Sequence, residues 1–148
     1  MAEEALVDAN VVLRHLTGQP PALAEEAARL LETAEQQRMN LVLAALTVAE
    51  VVYVLESVYG WDRTAIADGL LEFLSADVLV VLDGEAVRQA LTWYRDVRRV
   101  HFADAYVAAL AVQRGHGNMI TFDRELRRLA GINTITTGTQ PRERPPHR

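Results

Sequence analysis

Short apolar runs of strand length alternate along this chain with longer segments of helical period. ALVD at 5–8, LVLA at 41–44, DVLVVL at 77–82, NMITF at 118–122 and NTITT at 133–137 read as strands, the third dominated by β-branched residues. Glu4 to Asp8 is expected to be a short buried strand, with Asn10 capping the helix VVLRHLTG, which Gly18 ends. Pro20 and Pro21 open a second helix running to Arg38, with Leu23, Ala27, Leu30, Leu31 and Ala34 on one face. A helix from Thr47 to about Tyr59 stops at Gly60, and Asp62 caps RTAIADGLLEFLSA. DGEAVRQALTWYRDVRR is helical, FADAYVAALAVQRG is helical and apolar almost all round, and DRELRRLAG forms a short helix.

Strand and helix thus alternate, and the strands are apolar throughout. That pattern predicts an α/β fold with a parallel sheet covered by helices on both faces. No repeat or linker interrupts it, so residues 1–138 are expected to form one domain. The tail at 139–148 is polar and Pro-rich and is expected to be disordered.

Four carboxylates stand out against this pattern. Asp8, Glu50, Asp104 and Asp123 are each set in an apolar stretch, where an unpaired buried charge is costly. Asp8 and Asp123 directly follow strands, Glu50 lies about a turn into a helix that follows a strand, and Asp104 is in the first turn of the apolar helix. Ligands of open parallel sheets bind at the carboxyl edge of the strands, so all four are expected at one edge. Taken singly, Asp104 and Asp123 could be helix N-terminal residues and Asp8 part of a turn. Glu50 resists that reading best, because Val48, Ala49, Val51, Val52, Val54 and Leu55 leave no obvious polar face. Together the four point to a metal site. Carboxylates without histidine or cysteine partners favour hard cations, Mg²⁺ or Mn²⁺, and such sites act on phosphates.

Composition narrows the chemistry. Half of the 148 residues are apolar and the net charge is −5, which argues against a nucleic-acid binder working by bulk charge. Cysteine is absent, so disulfides and thiolate zinc sites are excluded, and a cytoplasmic location fits. The acidic N-terminus is not a secretory signal, and no apolar run reaches the roughly 20 residues that cross a bilayer. All fifteen basic residues are arginine, which excludes catalytic lysine, Schiff bases and P-loop phosphate binding.

Asp8-x-Asn10 after a first strand, the lone Glu50 in TVAEVVYVL, FADAYVAA around Asp104 and TFDREL around Asp123 together resemble a PIN domain. More narrowly, the chain resembles the toxin ribonucleases of Vap-type toxin–antitoxin pairs, over Ala5 to about Thr136. The resemblance implies a three-layer α/β/α sandwich with a parallel sheet of about five strands. It implies an endoribonuclease dependent on Mg²⁺ or Mn²⁺ that hydrolyses RNA phosphodiester bonds. Asp8, Glu50, Asp104 and Asp123 match the family's catalytic, metal-binding acids, and Asn10 and Thr121 match the small polar positions beside them. Where family members often carry a further acid, this chain has His101, which could be a ligand, a phosphate contact, a proton carrier or a surface residue. The resemblance also implies a homodimer and an antitoxin partner, docked on the helix from Pro21 to Arg38 and the helix 46–59. The alternative is a non-catalytic PIN-like module that binds RNA or protein.

Two arginine groups flank these residues. Arg95, Arg98 and Arg99 precede the Asp104 helix, and Arg124, Arg127 and Arg128 follow Asp123. Arg98, Arg99 and Arg124 are candidate contacts to the RNA backbone, and a solvated helix face is the competing reading. Trp61, Trp93 and Tyr94 could stack on bases or pack in the core.

Overall fold

A computed structural model describes residues 3–136 and 141–143 of the chain. The fold is α/β, as the alternation predicts, and the chain forms two compact units, Met1–Gly84 and Glu85–Arg148.

The first unit runs β1 (Glu4–Leu6), α1 (Ala9–Thr17), α2 (Pro21–Gln36), β2 (Asn40–Leu43), α3 (Ala45–Ser57), α4 (Arg63–Leu74) and β3 (Leu79–Val81). The strands are parallel in the order β1-β2-β3, with Leu6 opposite Val42 and Leu43 opposite Val81. Parallel pairing requires a crossover, and two helices make each one here. Val12, Leu43, Val48, Val51, Leu55, Ile66 and Leu70 are fully buried. Each contributes roughly 1.5–3 kcal/mol by leaving water.

Local signals explain the boundaries, with some shifts from expectation. Gly18, at φ 66°, ends α1 by donating its N–H to the Arg14 carbonyl. Asp62 caps α4, accepting from the Ala65 N–H at 2.8 Å. Asn10, however, does not cap α1: that role belongs to Asp8, whose Oδ1 accepts from the Ala9 N–H at 2.7 Å. The strand before it is not buried either, since Leu6 is 76% exposed. Nor does the expected stripe of α2 bury evenly. Ala27 and Ala34 are covered, whereas Leu23 and Leu30 are exposed.

The second unit contains α5 (Gly84–Asp96, beginning at the boundary), α6 (Phe102–Gln113), β4 (Asn118–Ile120), a 3-10 helix (Arg124–Arg128) and β5 (Asn133–Ile135). β4 and β5 pair in parallel, with Asn118 opposite Asn133. In place of the single sheet of about five strands that the sequence suggests, the described residues form a three-stranded sheet in the first unit and a two-stranded sheet in the second, each parallel within itself. Val87, Leu91, Tyr94, Ala105, Ala108 and Leu126 are buried.

The turn into β4 depends on a close backbone approach. Gly117 has φ 64°, and a Cβ there would lie 1.8 Å from the Gly131 carbonyl oxygen. Beside it, Asn118 receives a side-chain hydrogen bond from Asn133. It also exchanges two with the Arg142 main chain, at 3.0 and 3.1 Å. Apart from 141–143, the tail expected to be disordered lies outside the described residues.

Candidate active site

In the first unit, Asp8 stands one residue beyond the β1 ladder, which the Val7 N–H closes onto the Val42 carbonyl at 2.9 Å. Its extended backbone, φ −80° and ψ 152°, is the ordinary N-cap conformation. Asn10 follows in the first turn of α1, exposed. Glu50 is the sixth residue of α3, which leaves the carboxyl end of β2. β1 and β2 are adjacent and parallel, and α1 packs against α3. Asp8 and the start of the Glu50 helix thus share one sheet edge.

Glu50 is not buried, contrary to the reading of its apolar neighbours. Leu46, Glu50, Tyr53 and Ser57 recur at helical spacing and form an exposed stripe, with Leu46 82% and Tyr53 70% exposed. Val48, Val51, Val52 and Leu55 take the opposite, buried face. Asp8 is likewise exposed, and no polar or charged residue is buried among the described residues. Asp8 and Glu50 are thus exposed and Asp104 and Asp123 only half-buried, so full burial of a charge does not explain their presence.

In the second unit, Asp104 occupies the first turn of α6, half-buried. His101 stands at the N-cap position, exposed, and its side chain makes no capping bond. α6 packs on β4 and reaches it through a four-residue reversal, so its beginning lies toward the carboxyl end of that strand. Thr121 and Asp123 emerge from that end. The Thr121 hydroxyl accepts the Asp123 N–H at 3.0 Å, and Asp123 Oδ1 accepts the Glu125 N–H at 2.9 Å. Thr121 thus fixes the backbone of Asp123, which in turn caps the 3-10 helix.

Asp8 and Glu50 accordingly belong to the first unit and Asp104 and Asp123 to the second, with Asp8 and Asp123 just beyond strands and Glu50 and Asp104 on helices. Among the described residues, no group of three or more His, Asp or Glu side chains is close enough to hold a metal ion. The donor chemistry nevertheless suits Mg²⁺ or Mn²⁺: all four are oxygen donors. The Glu50 and Asp104 carboxylates make no hydrogen bond or ion pair among the described residues. Asp8 and Asp123 each commit one oxygen to a helix cap.

The arginines divide by partnership. Arg95 pairs with Asp96 at 2.8 Å and holds that carboxyl below its ordinary range through the hydrogen bond. Arg127 donates to Thr134, and Arg128 pairs with Glu125. Arg98, Arg99 and Arg124 are exposed and have no partner among the described residues. Arg99 has φ 71°, a left-handed conformation in the link from α5 to α6.

Of the aromatic residues considered for stacking, Tyr94 is buried, while Trp61 and Trp93 are half-buried. Sequence reasoning passed over Phe122, which is 105% exposed between Thr121 and Asp123. Its signal was an aromatic residue lying between two site positions just beyond a strand.

Parallel strands joined through helices, with acids just beyond strand ends in each unit, define an α/β protein. The chain belongs to the PIN domain family, whose profile matches residues 5–132. A VapC ribonuclease of Aquifex aeolicus (strain VF5) is 26% identical over 130 residues, covering 88% of this chain and 94% of that protein. No solved structure matches the chain. No described helix is long and apolar enough to cross a membrane.

Proposed function

We propose that this protein is a metal-dependent endoribonuclease that hydrolyses RNA phosphodiester bonds, and that it acts as the toxin of a toxin–antitoxin pair. The observation that carries this reading is the placement of Asp8 and Asp123 just beyond parallel strands, in a PIN-family chain similar to a VapC ribonuclease. Asp8, Glu50, Asp104 and Asp123 would hold Mg²⁺ or Mn²⁺, the ions that all-oxygen donors favour. The chemistry a bound ion supplies there is polarisation of phosphoryl oxygens and acidification of water.

The chain's own residues do the remaining work. Capping fixes the Asp8 and Asp123 carboxylates on rigid helix starts, and Thr121 orients Asp123. The first turn of α6 complements the Asp104 charge through its amide dipoles. Arg98, Arg99 and Arg124 attract the phosphate backbone, with Asn10 and His101 as supporting polar contacts. Hydrolysis forms a bond from the water oxygen to phosphorus and breaks one from phosphorus to a ribose oxygen. The proton released by water passes to a carboxylate, and the departing oxygen takes one up.

Exposed Leu23 and Leu30 on α2, and Leu46, Tyr53 and Val58 on and after α3, support a homodimer and an antitoxin as partners. A cleft of about 720 Å³, lined by Leu16, Leu31, Trp61 and Phe73 with Glu32 and Glu72, offers further apolar surface within the first unit. His101, which stands where family members often carry a further acid and makes no capping bond, favours a second reading, a binding module without catalysis. Manganese titration separates the two. A catalytic site raises the melting temperature progressively, by the equivalent of about 2.7 kcal/mol at a hundredfold excess over Kd. No shift at millimolar Mn²⁺ supports the binding module.

A further inference from the structure

Phe122 is the most exposed of the large apolar side chains described, and it stands directly beside a candidate catalytic acid. Its ring makes no ring–ring contact among the described residues. Thr121 and Asp123 on either side are half-buried and tied to each other by the 3.0 Å hydrogen bond, so the backbone under Phe122 is held. Arg124, exposed and unpartnered among the described residues, is the next cation along the chain.

From this arrangement we propose that Phe122 is a stacking platform for an unpaired nucleobase, positioned next to the phosphate to be cleaved. Along the chain the ring is flanked by the Thr121 hydroxyl, the Asp123 carboxylate and the Arg124 guanidinium, with one further exposed apolar side chain, Ile120, two residues before it. That combination matches one nucleotide: a flat base on the ring, its phosphate near Arg124, and the scissile bond toward Asp123. Stacking tolerates any base, because every base has a π-face, so the contact would select single-stranded RNA and not a sequence. The proposal rests on the ribonuclease reading and names a substrate contact within it.

The test uses the full chain, with Mg²⁺ present. The probe is a single-stranded RNA oligonucleotide of mixed sequence, with binding measured by fluorescence anisotropy in an Asp8→Asn background, chosen to slow cleavage. Base stacking on an aromatic side chain corresponds to roughly a 5- to 150-fold affinity difference. Phe122→Ala should weaken binding by that factor, Phe122→Leu nearly as much, and Phe122→Trp should restore it with quenching of the new indole by RNA. In the otherwise wild-type chain, Phe122→Ala should raise KM more than it lowers kcat. The melting temperature should hardly move, since the exposed ring has little packing to lose. Unchanged affinity in Phe122→Ala, or full rescue by leucine, overturns the proposal. So does a change in self-association by light scattering with RNA affinity intact, which would assign the ring to a protein contact. If the wild-type chain cleaves no RNA with Mg²⁺ or Mn²⁺, the ribonuclease reading fails, while the anisotropy series still decides whether Phe122 stacks on a base.

Discussion

Replacing Gly117 with alanine would drive a Cβ to within 1.8 Å of the Gly131 carbonyl oxygen and 2.9 Å of its carbonyl carbon. Both atoms are backbone, so no side chain can rotate aside. The chain must separate at the point where it enters β4. Three costs combine. An alanine at φ 64° carries about 1 kcal/mol of left-handed strain. Forcing apart a packed contact costs about 1–3 kcal/mol. The bonds from the Asn133 N–H to the Gly117 carbonyl, 2.8 Å, and from the Gly117 N–H to the Ala111 carbonyl, 3.0 Å, are then weakened. Each contributes about 1 kcal/mol. A total near 3–5 kcal/mol corresponds to a fall in Tm of about 10 °C for a chain of this size. Gly60→Ala is the matched control: its φ is 67°, but nothing lies within 4 Å of the added Cβ. It should lose only about 1 kcal/mol. Thermal and urea unfolding followed by circular dichroism measure both variants. If Gly117→Ala costs no more than Gly60→Ala, the close approach at the base of β4 is not as described.

Other substitutions separate structural from chemical roles. Asp8→Ala should lose the α1 cap, about 1 kcal/mol, whereas Asp8→Asn keeps a capping oxygen and should unfold within a few tenths of a kcal/mol of wild type; both should cut RNA at least about 100-fold more slowly, as loss of a charge-stabilising group does. Activity in Asp8→Asn close to wild type would confine Asp8 to capping. Arg99→Gly relieves the left-handed backbone and should leave stability unchanged or raised by up to about 1 kcal/mol. If Arg99 contacts a phosphate, the same variant flattens the slope of log Kd for single-stranded RNA against log salt by about 0.7, and an unchanged slope would remove Arg99 from the interface. Thr121→Val should keep the fold and lower kcat, because the hydroxyl that accepts the Asp123 N–H is gone; equal turnover would show that Asp123 needs no such support.

The parallel α/β fold was legible because periodicity and punctuation agree along most of the chain. Gly18 and Asp62 act where a left-handed stop and an N-cap were expected. The apolar run of β3 forms a strand although only Leu79–Val81 keep ladder geometry. Capping was harder to assign between two suitable residues two positions apart, and Asp8 took the role expected of Asn10. Burial was misjudged at Glu50 because composition of a segment is not orientation. A helix in which most residues are apolar must still show a face to solvent, and on α3 that face carries Leu46, Glu50 and Tyr53. The placement of Asp8 and Asp123 just past strands followed from pattern alone, whereas the bond from the Asp123 N–H to Thr121 depends on a bend that periodicity does not encode. Phe122 was missed because an aromatic residue after an apolar strand ordinarily continues the core.

Cleavage of a labelled single-stranded RNA by the purified full chain tests the central claim most directly. It should be run with Mg²⁺, with Mn²⁺ and with EDTA, on wild type, Asp8→Asn and Asp104→Asn. Cutting that appears with either ion, disappears in EDTA and falls at least about 100-fold in both variants is the outcome expected of carboxylates that hold a catalytic cation. Cutting that persists in EDTA, or survives at full rate in both variants, would contradict it.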